Sequence, residues 1–458
     1  MINKNQSSRE ISINIIISVL EEEKLSHIVL REELGKLGNS KEDNVEKAFI
    51  TRLSQGTVEK KITLDYIIDE FSKTKTKKMK PFIRNLLRMS VYQIMYMDSV
   101  PDSAVCNEAV KLAKKRGFVN LSGFVNGILR NISRNKDEIK FPDIEKIPEY
   151  GLSIKYSIPE WIINRFIMEN GYEKTLEMLD SLEKTDEGIT VRVNTSKEDK
   201  EKAVNLLKEE KVSVKNINLA DNMLKISDFG SIDNLKTFKN GIIQPQDVSS
   251  ALVVQVSGAK EGDICIDMCG APGGKTIHLA DMLKGKGQVY TGDLTEKKVG
   301  LIKENMLRCG FDNVRANVWD ATIYNEELYE MADVVIADVP CSGLGVIRHK
   351  SDIKYRLKEN DIEELAGISR RILDCAVKYI KKGGTLIFST CTMTKEENAD
   401  NRKYIMEELN LKPVSITEFL SDELLNVGEN KKTAKEGYLK LLLSQENDGF
   451  FISKYIKY

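Results

Sequence analysis

The chain has 458 residues, of which 41% are hydrophobic and 30% charged. That balance is ordinary for globular proteins, excludes wholesale disorder or a fibre, and at about 100–200 residues per domain predicts two to four domains. Lys and Arg total 69 against 70 Asp and Glu, a net charge of −1, so the whole chain is neither a polybasic binder nor an acidic tail protein.

The first apolar stretch, Ile11–Leu20, follows Lys4 and Arg9 as a leader peptide would, but Asn14 interrupts it and Glu21-Glu22-Glu23 follows. Ile11, Ile15 and Val19 recur every four residues, which predicts an amphipathic helix. No apolar run approaches the ~18 residues of a membrane span, and a soluble, cytoplasmic protein without membrane contact is expected. Residues 1–138 read as an all-helical domain, with helices near 9–22, 25–35, 42–58, 62–72, 80–97, 103–116 and 119–134. Between Lys73 and Lys140 there are 15 Lys and Arg and 5 Asp and Glu, a local net of 15 − 5 = +10. Two clusters dominate: Lys73, Lys75, Lys77, Lys78 and Lys80, then Lys111, Lys114, Lys115 and Arg116. Solvated helix ends and a polyanion-binding surface are both open readings.

Residues 139–160 read as a linker, because Phe141-Pro142, Ile147-Pro148 and Ile158-Pro159 place prolines where the preceding residue is pushed out of the α region. Residues 161–245 read as a small α/β module. It has helices near 159–169 and 171–183, a strand at 189–194, and short strands near 212–214, 223–226 and 241–243. From Gln246 to Tyr458 strands and helices alternate. Strands at 264–268, 288–293, 314–318, 334–338 and 385–389 are separated by helices near 274–284, 296–309, 361–381 and 395–409. Such alternation predicts a mostly parallel, Rossmann-like sheet. Residues 438–442 and 449–457 read as a closing antiparallel pair.

The segment Asp267-Met-Cys-Gly-Ala-Pro-Gly-Gly-Lys275 follows the first of these strands and opens a helix. Its glycines permit a tight bend and close ligand approach, and the helix N-terminus favours an anionic group. It lacks the Walker A spacing, since Cys269 stands six positions before Lys275, and it lacks a G-x-G-x-x-G fingerprint. Asp293, Asp320 and Asp338 stand at or just after successive strand ends, where open α/β sheets bind ligands. The set suits an adenosine-containing cofactor without a pyrophosphate, and S-adenosylmethionine fits that outline.

Seven cysteines are scattered with no C-x-x-C pair and no histidine at metal spacing. Reduced thiols and no metal site are therefore expected. Cys106, Cys265, Cys309 and Cys375 read as small buried hydrophobes. Cys341, in Asp338-Val-Pro-Cys-Ser-Gly, and Cys391, in Ser389-Thr-Cys-Thr, each leave a buried strand for a polar turn on the cofactor edge. Beside a methyl donor, a thiolate suits methylation of cytosine C5: addition to C6 makes C5 nucleophilic. A nearby acid such as Asp338 would assist at N3.

Asp267–Lys275, Asp338–Arg348, Phe388-Ser-Thr-Cys-Thr392, Gln246–Ser250 and Asp448–Lys454 together resemble the motifs of the Sun family of RNA cytosine-C5 methyltransferases. The N-terminal helices, with Phe124-Val-Asn-Gly-Ile-Leu-Arg130, resemble the NusB-like RNA-binding domain, a fusion typical of bacterial 16S ribosomal RNA methyltransferases. The resemblance implies that Cys391 is the nucleophile and that Cys341 releases the enzyme–RNA adduct. It further implies that Cys269, Gly270, Ala271, Pro272, Gly273, Gly274, Lys275, Asp293, Asp320 and Asp338 bind S-adenosylmethionine. A monomer is expected, and the implied partner is 16S ribosomal RNA, free or in an assembly intermediate. The same chemistry on transfer RNA, a non-catalytic RNA-binding assembly factor, and a nicotinamide oxidoreductase are the rival readings. Gly270 stands where the family commonly has alanine. Arg348-His349-Lys350-Ser351 replaces a more usual Arg-Arg-x-Pro, and Arg348, Lys350 and Lys354 are expected to guide the RNA.

Overall fold

The computed structural model describes residues 6–38, 40–183, 188–444 and 447–458. It forms two units, one comprising 1–179 with 347–357, the other 180–346 with 358–458. The first unit is helical. Its helices Ser8–Leu20, Ser26–Leu34, Lys41–Glu59, Lys61–Phe71, Pro81–Tyr96, Asp102–Lys115 and Ser122–Asn135 follow the expected spans closely. Local chemistry sets several starts. Ser7 caps the first helix through Glu10 N–H, and Ser40 forms a capping box with Asp43. Pro81 occupies the first turn of the fifth, where its missing N–H is harmless. Ile13, Ile16, Leu53, Leu64, Ile67, Leu86, Leu87 and Leu129 form one fully buried core.

The proline-rich connector departs from expectation by containing a helix, Pro148–Tyr156. Pro148 sits at its first position, so the proline starts the helix rather than breaking it. It ends at Ser157 in the left-handed conformation (φ 57°). Ser157 Oγ then accepts from Ile62 N–H at 2.8 Å, and Thr63 Oγ1 donates to Ile154 O at 2.6 Å, which ties the connector to the helix Lys61–Phe71.

Residues 347–357 also belong to this unit. Tyr355 Oη donates to Glu59 O at 2.6 Å and lies 3.0 Å from Ser157 Oγ. Asp352 accepts from Ser26 Oγ at 2.5 Å and is paired with Arg356. Lys354 is only 4% exposed, with Nζ 5.2 Å from the centroid of the Tyr355 ring. It is packed inside the unit, so the expectation that Lys354 contacts RNA from the surface is corrected.

In the second unit, β1 (Ile189–Val193), β2 (Ser213–Asn216), β3 (Met223–Ser227) and β4 (Ile243–Pro245) make an antiparallel sheet in the order β2-β3-β1-β4. The unexpected helix Lys200–Glu209 covers it, with Ala203 and Leu207 buried on Val191, Leu224 and Ile226. Arg192 of β1 is fully buried and donates to Asp281 Oδ2 at 2.7 Å and Gln246 Oε1 at 2.9 Å. Asp281 also accepts from the backbone and hydroxyls of Thr195 and Ser196, so both buried charges are satisfied.

The large sheet contains β5 (Ile264–Asp267), β6 (Gln288–Asp293), β7 (Val314–Val318), β8 (Ala332–Asp338), β9 (Ile380–Thr390), β10 (Lys412–Pro413), β11 (Tyr438–Leu441) and β12 (Phe450–Ile456). Its order is β10-β12-β9-β8-β5-β6-β7, with β11 on β12. Strands β5 to β9 are parallel, and β12 runs antiparallel to both β9 and β11. The closing pair is therefore part of the main sheet. Helices Val248–Ser257, Gly274–Met282, Glu296–Cys309, Asp361–Tyr379 and Ala399–Glu407 accompany it. Among the described residues no helix is long and apolar enough to cross a membrane.

Burial pushes the Lys354 ammonium from 10.5 down to about 7. The folded value lies below the unfolded one, so between pH 7 and 10.5 the unfolded chain binds the extra proton and the penalty for charging the folded state fades as pH rises. Lys354→Met should therefore stabilise the protein at pH 6, by up to about 5 kcal/mol, with the gain vanishing towards pH 10. Chemical denaturation at a series of pH values measures this.

Candidate active site

The carboxyl ends of β5, β6, β7, β8 and β9 share one edge of the sheet, and every residue predicted for the site lies on or just after these strands. After β5 the chain turns through Met268–Gly273 into the helix Gly274–Met282. Gly273 takes φ 112°, a conformation that disfavours side chains, and the Ala271–Pro272 peptide is cis. The turn is pinned from three sides. Gly270 N–H donates to Gly292 O at 2.9 Å, Met268 N–H to Ile336 O at 2.9 Å, and Trp319 Nε1 to Met268 O at 2.9 Å. Beneath it Asp267 is fully buried and accepts from Thr276 Oγ1 at 2.6 Å. Burial lifts its carboxyl to about 6.

The other aspartates divide into two environments. Asp293, at the end of β6, accepts from Leu294 N–H and Lys298 Nζ, both at 2.8 Å, and from Ala271 N–H at 3.3 Å. It therefore joins the second strand end to the glycine-rich turn. Asp320 accepts from Thr322 N–H and Oγ1 through one oxygen; these bonds hold its carboxyl below the usual range. Asp338, at the end of β8, pairs with Lys275 Nζ at 2.7 Å and accepts from Ser389 Oγ at 2.7 Å. Burial alone would lower the Lys275 ammonium, but Asp338 foremost, then Asp267 and Cys391, raise it. A fixed positive charge thus stands between the glycine-rich turn and the cysteines.

Strands β8 and β9 pair with Asp338 opposite Ser389. The turns that follow bring Cys341 Sγ and Cys391 Sγ to 3.2 Å. Gly345 N–H donates to Cys391 O, and Gly449 N–H donates to Gly345 O, both at 3.0 Å. A Cβ on Gly345 would fall on Gly449 O and Cys391 O, so glycine is required for this close approach. The Cys341 thiol is pushed well above its usual range, chiefly by its bond to Cys391, then by burial. Cys106, Cys265, Cys309 and Cys375 are buried, as expected of small hydrophobes. Cys269 lies in the cofactor turn, and burial pushes its thiol up as well.

Sequence reasoning missed the polar brace behind the cysteines. Glu397, at 0% exposure, accepts from Ser342 N–H and Oγ and from Thr394 Oγ1. Ser342 Oγ also lies 2.7 Å from Thr392 Oγ1. The available signal was the Thr394-Lys-Glu-Glu-Asn398 stretch opening a helix two residues after the Thr-Cys-Thr motif.

Comparison with known proteins fits this geometry. Residues 254–456 match the family model described as 16S rRNA methyltransferase RsmB/F, residues 6–134 the NusB family, and residues 158–233 the RsmF/B-like ferredoxin-like domain. The probable ribosomal RNA small subunit methyltransferase B of Bacillus subtilis (strain 168) is 34% identical over 98% of both chains. The chain belongs to the RsmB/F family of 16S rRNA methyltransferases. Ribosomal RNA small subunit methyltransferase B of Escherichia coli O1:K1 is 27% identical over 90% of this chain and 91% of its own. The crystal structure of PH0851 superposes with a TM-score of 0.80 at 28% identity, covering 98% of each chain.

RsmB/F enzymes use S-adenosylmethionine, and the residues present suit it. The turn offers backbone and a helix N-terminus to a carboxylate, while Asp293 and Asp320 offer acceptors to hydroxyl and amino groups. The family's usual alanine at position 270 meets a local obstacle here: a Cβ on Gly270 would fall on Thr291 Oγ1 and crowd Thr276 Oγ1. Glycine at 270 and threonine at 291 are thus a matched pair. Gly270→Ala should destabilise the domain by about 1–3 kcal/mol through overpacking and weaken cofactor binding. Adding Thr291→Ala should restore both, as read by thermal melting and calorimetric titration with S-adenosylmethionine.

Proposed function

We propose that this enzyme methylates C5 of a cytosine in 16S ribosomal RNA through a covalent adduct with Cys391. The observation that carries this reading is the pair of thiols 3.2 Å apart, beside the Lys275–Asp338 ion pair on the cofactor edge. S-adenosylmethionine, held by Cys269–Lys275, Asp293, Asp320 and Asp338, supplies an electrophilic methyl group. The chain's own residues do the rest. Cys391 Sγ bonds to cytosine C6, and its proton, relayed by the Asp338 carboxylate, ends on N3. The C5=C6 pair shifts to C4=C5 and the C4=N3 pair moves onto N3, where it takes the proton, so C5 becomes the nucleophilic carbon of an enamine. Lys275, paired with Asp338 at 2.7 Å, holds the carboxylate in place for this relay.

Release falls to Cys341. Once C5 carries the methyl group the N3 pair re-forms C4=N3, and Cys341, having given its own proton to solvent, takes the C5 proton as a thiolate. The C–H pair forms C5=C6, the C6–S pair returns to Cys391, and the N3 proton leaves through Asp338. The resting Cys341 thiol is held protonated chiefly by its bond to Cys391. That bond is lost when Cys391 is bound to C6, so adduct formation itself frees the base that ends it.

The RNA must present an unstacked base. The first unit supplies a surface for its backbone: Lys73, Lys75, Lys77, Lys78, Lys80, Lys111 and Lys114 are all exposed. Phe82 and Phe118 stack nearby at 5.2 Å between Lys80 and Arg116. We read the enzyme as a cytoplasmic monomer acting on free 16S RNA or an assembly intermediate.

The test is transfer of labelled methyl to unmodified 16S RNA, with bisulfite mapping of the product. The wild type should protect a single cytosine. Cys391→Ala should lose at least about 10³-fold in rate, as expected for removal of a nucleophile. Cys341→Ala should accumulate a methylated protein–RNA adduct that survives denaturing electrophoresis. Transfer to transfer RNA alone would overturn the substrate, and an active Cys391→Ala would overturn the mechanism.

A further inference from the structure

Among the described residues Glu397 is the one fully buried carboxylate seen bonded to the turn carrying Cys341, and the chemistry above does not use it. It lies just ahead of the helix Ala399–Glu407. Its Oε1 accepts from Ser342 N–H at 2.7 Å; its Oε2 accepts from Ser342 Oγ and Thr394 Oγ1, both at 2.6 Å. Ser342 Oγ also lies 2.7 Å from Thr392 Oγ1, so the Thr392 side chain joins the same cluster. The adjacent Asn398 accepts from Thr390 Oγ1 and donates to Thr392 O. The residues on both sides of Cys391, and the one after Cys341, are thus bonded to two consecutive side chains at one helix start.

A brace alone could be built from neutral groups. Burying a carboxylate is costly unless its hydrogen bonds are complete, and here three donors converge on it. Burial raises the Glu397 carboxyl, and the bonds from Ser342 and Thr394 pull it back. Its charge acts directly on Cys341, which faces Cys391 from the end of β9, Glu397 from the helix start and Asp338 from the end of β8. A negative charge behind the Cys341 sulfur makes its thiolate scarcer and more basic. The C5 proton is what that base must remove.

We propose that Glu397 is a positioning residue for adduct release, holding the Cys341 thiol on the target carbon through Ser342 and strengthening it as a base by its charge. The proposal rests on the assignment of Cys391 as nucleophile and Cys341 as base. It predicts a split between two steps that a simple structural brace would affect alike. In Glu397→Ala, release should slow about 10–100-fold more than adduct formation, the scale on which a misplaced group loses rate. Ser342→Ala, which leaves the helix start intact, should show the same bias more weakly. Glu397→Gln keeps the shape and removes the charge; the pH profile of release should move to lower pH, because the Cys341 thiol then ionises more easily.

The experiment is a single-turnover reaction of the full chain with labelled S-adenosylmethionine and 16S RNA. Adduct and free methylated RNA are separated on denaturing gels over time and across pH, with Cys341→Ala alongside. Slow release with an accumulating methylated adduct in Glu397→Ala and Ser342→Ala, and the displaced profile in Glu397→Gln, are the expected results. Formation and release falling together, or a release profile unmoved in Glu397→Gln, would overturn the role of Glu397. Absence of a trapped adduct in Cys341→Ala would instead overturn the cysteine assignment, and the proposal with it.

Discussion

The parallel pairing of β8 with β9 is the constraint on which the site depends. With Asp338 set against Ser389, the turn after one strand and the turn after the other must leave the sheet side by side. The two cysteines are fifty positions apart in the chain (391 − 341), yet their sulfurs meet at 3.2 Å. A slip of one residue in that register would turn every side chain of the strand to the opposite face. The register is protected on both sides. β5 pairs with β8 through Cys265–Asp267, and β12 pairs with β9 over six residues. The antiparallel strand β12 thus locks β9 from the side opposite β8, which gives the closing segment of the sequence a structural duty close to the chemistry.

Electrostatics then distinguishes groups that the strand ends present alike. Asp293 is bound by the cofactor turn and Lys298, Asp320 by its own Thr322, and Asp338 by Lys275 and Ser389. Three aspartates on one edge would repel each other if all were ionised and unpaired. Each has instead a separate donor set, and only Asp338 is joined to the lysine that also lies beside Cys391. Lys275 belongs by sequence to the glycine-rich turn and by position to the cysteine pair.

Periodicity revealed most of the helical unit and every strand of the parallel sheet, because those elements keep one face apolar or alternate with turns. The failures have specific causes. Val248–Ser257 is nearly all buried, so it has no polar face to betray a helical period. Lys200–Glu209 buries only Ala203 and Leu207 in a charge-rich run, too few to stand out. Pro148 was read as a breaker, although a proline in the first turn suits a helix start. Within the site, the cysteines and aspartates were legible as motifs, since each stands at a strand end. Glu397 was not, because a buried carboxylate in a run of charged residues looks like solvated surface until its partners are known. Lys354 misled for the same reason in reverse: a lysine beside arginines reads as an RNA contact, but its side chain is packed on Tyr355.

That correction alters the meaning of the segment that follows the Pro-Cys turn. From Cys341 to Ile347 is six positions (347 − 341), at most about 20–22 Å of extended chain. The segment from Ile347 to Leu357 is held in the helical unit by Tyr355 on Glu59 O, Asp352 on Ser26 and the buried Lys354. The chain then returns at Lys358 to the unit that carries both cysteines. The helical unit is therefore joined to the methyltransferase unit near residue 180 and again by both ends of this segment, one of them beside Cys341. A hydrogen-bonded segment of this kind is fixed by the packing of the unit that holds it.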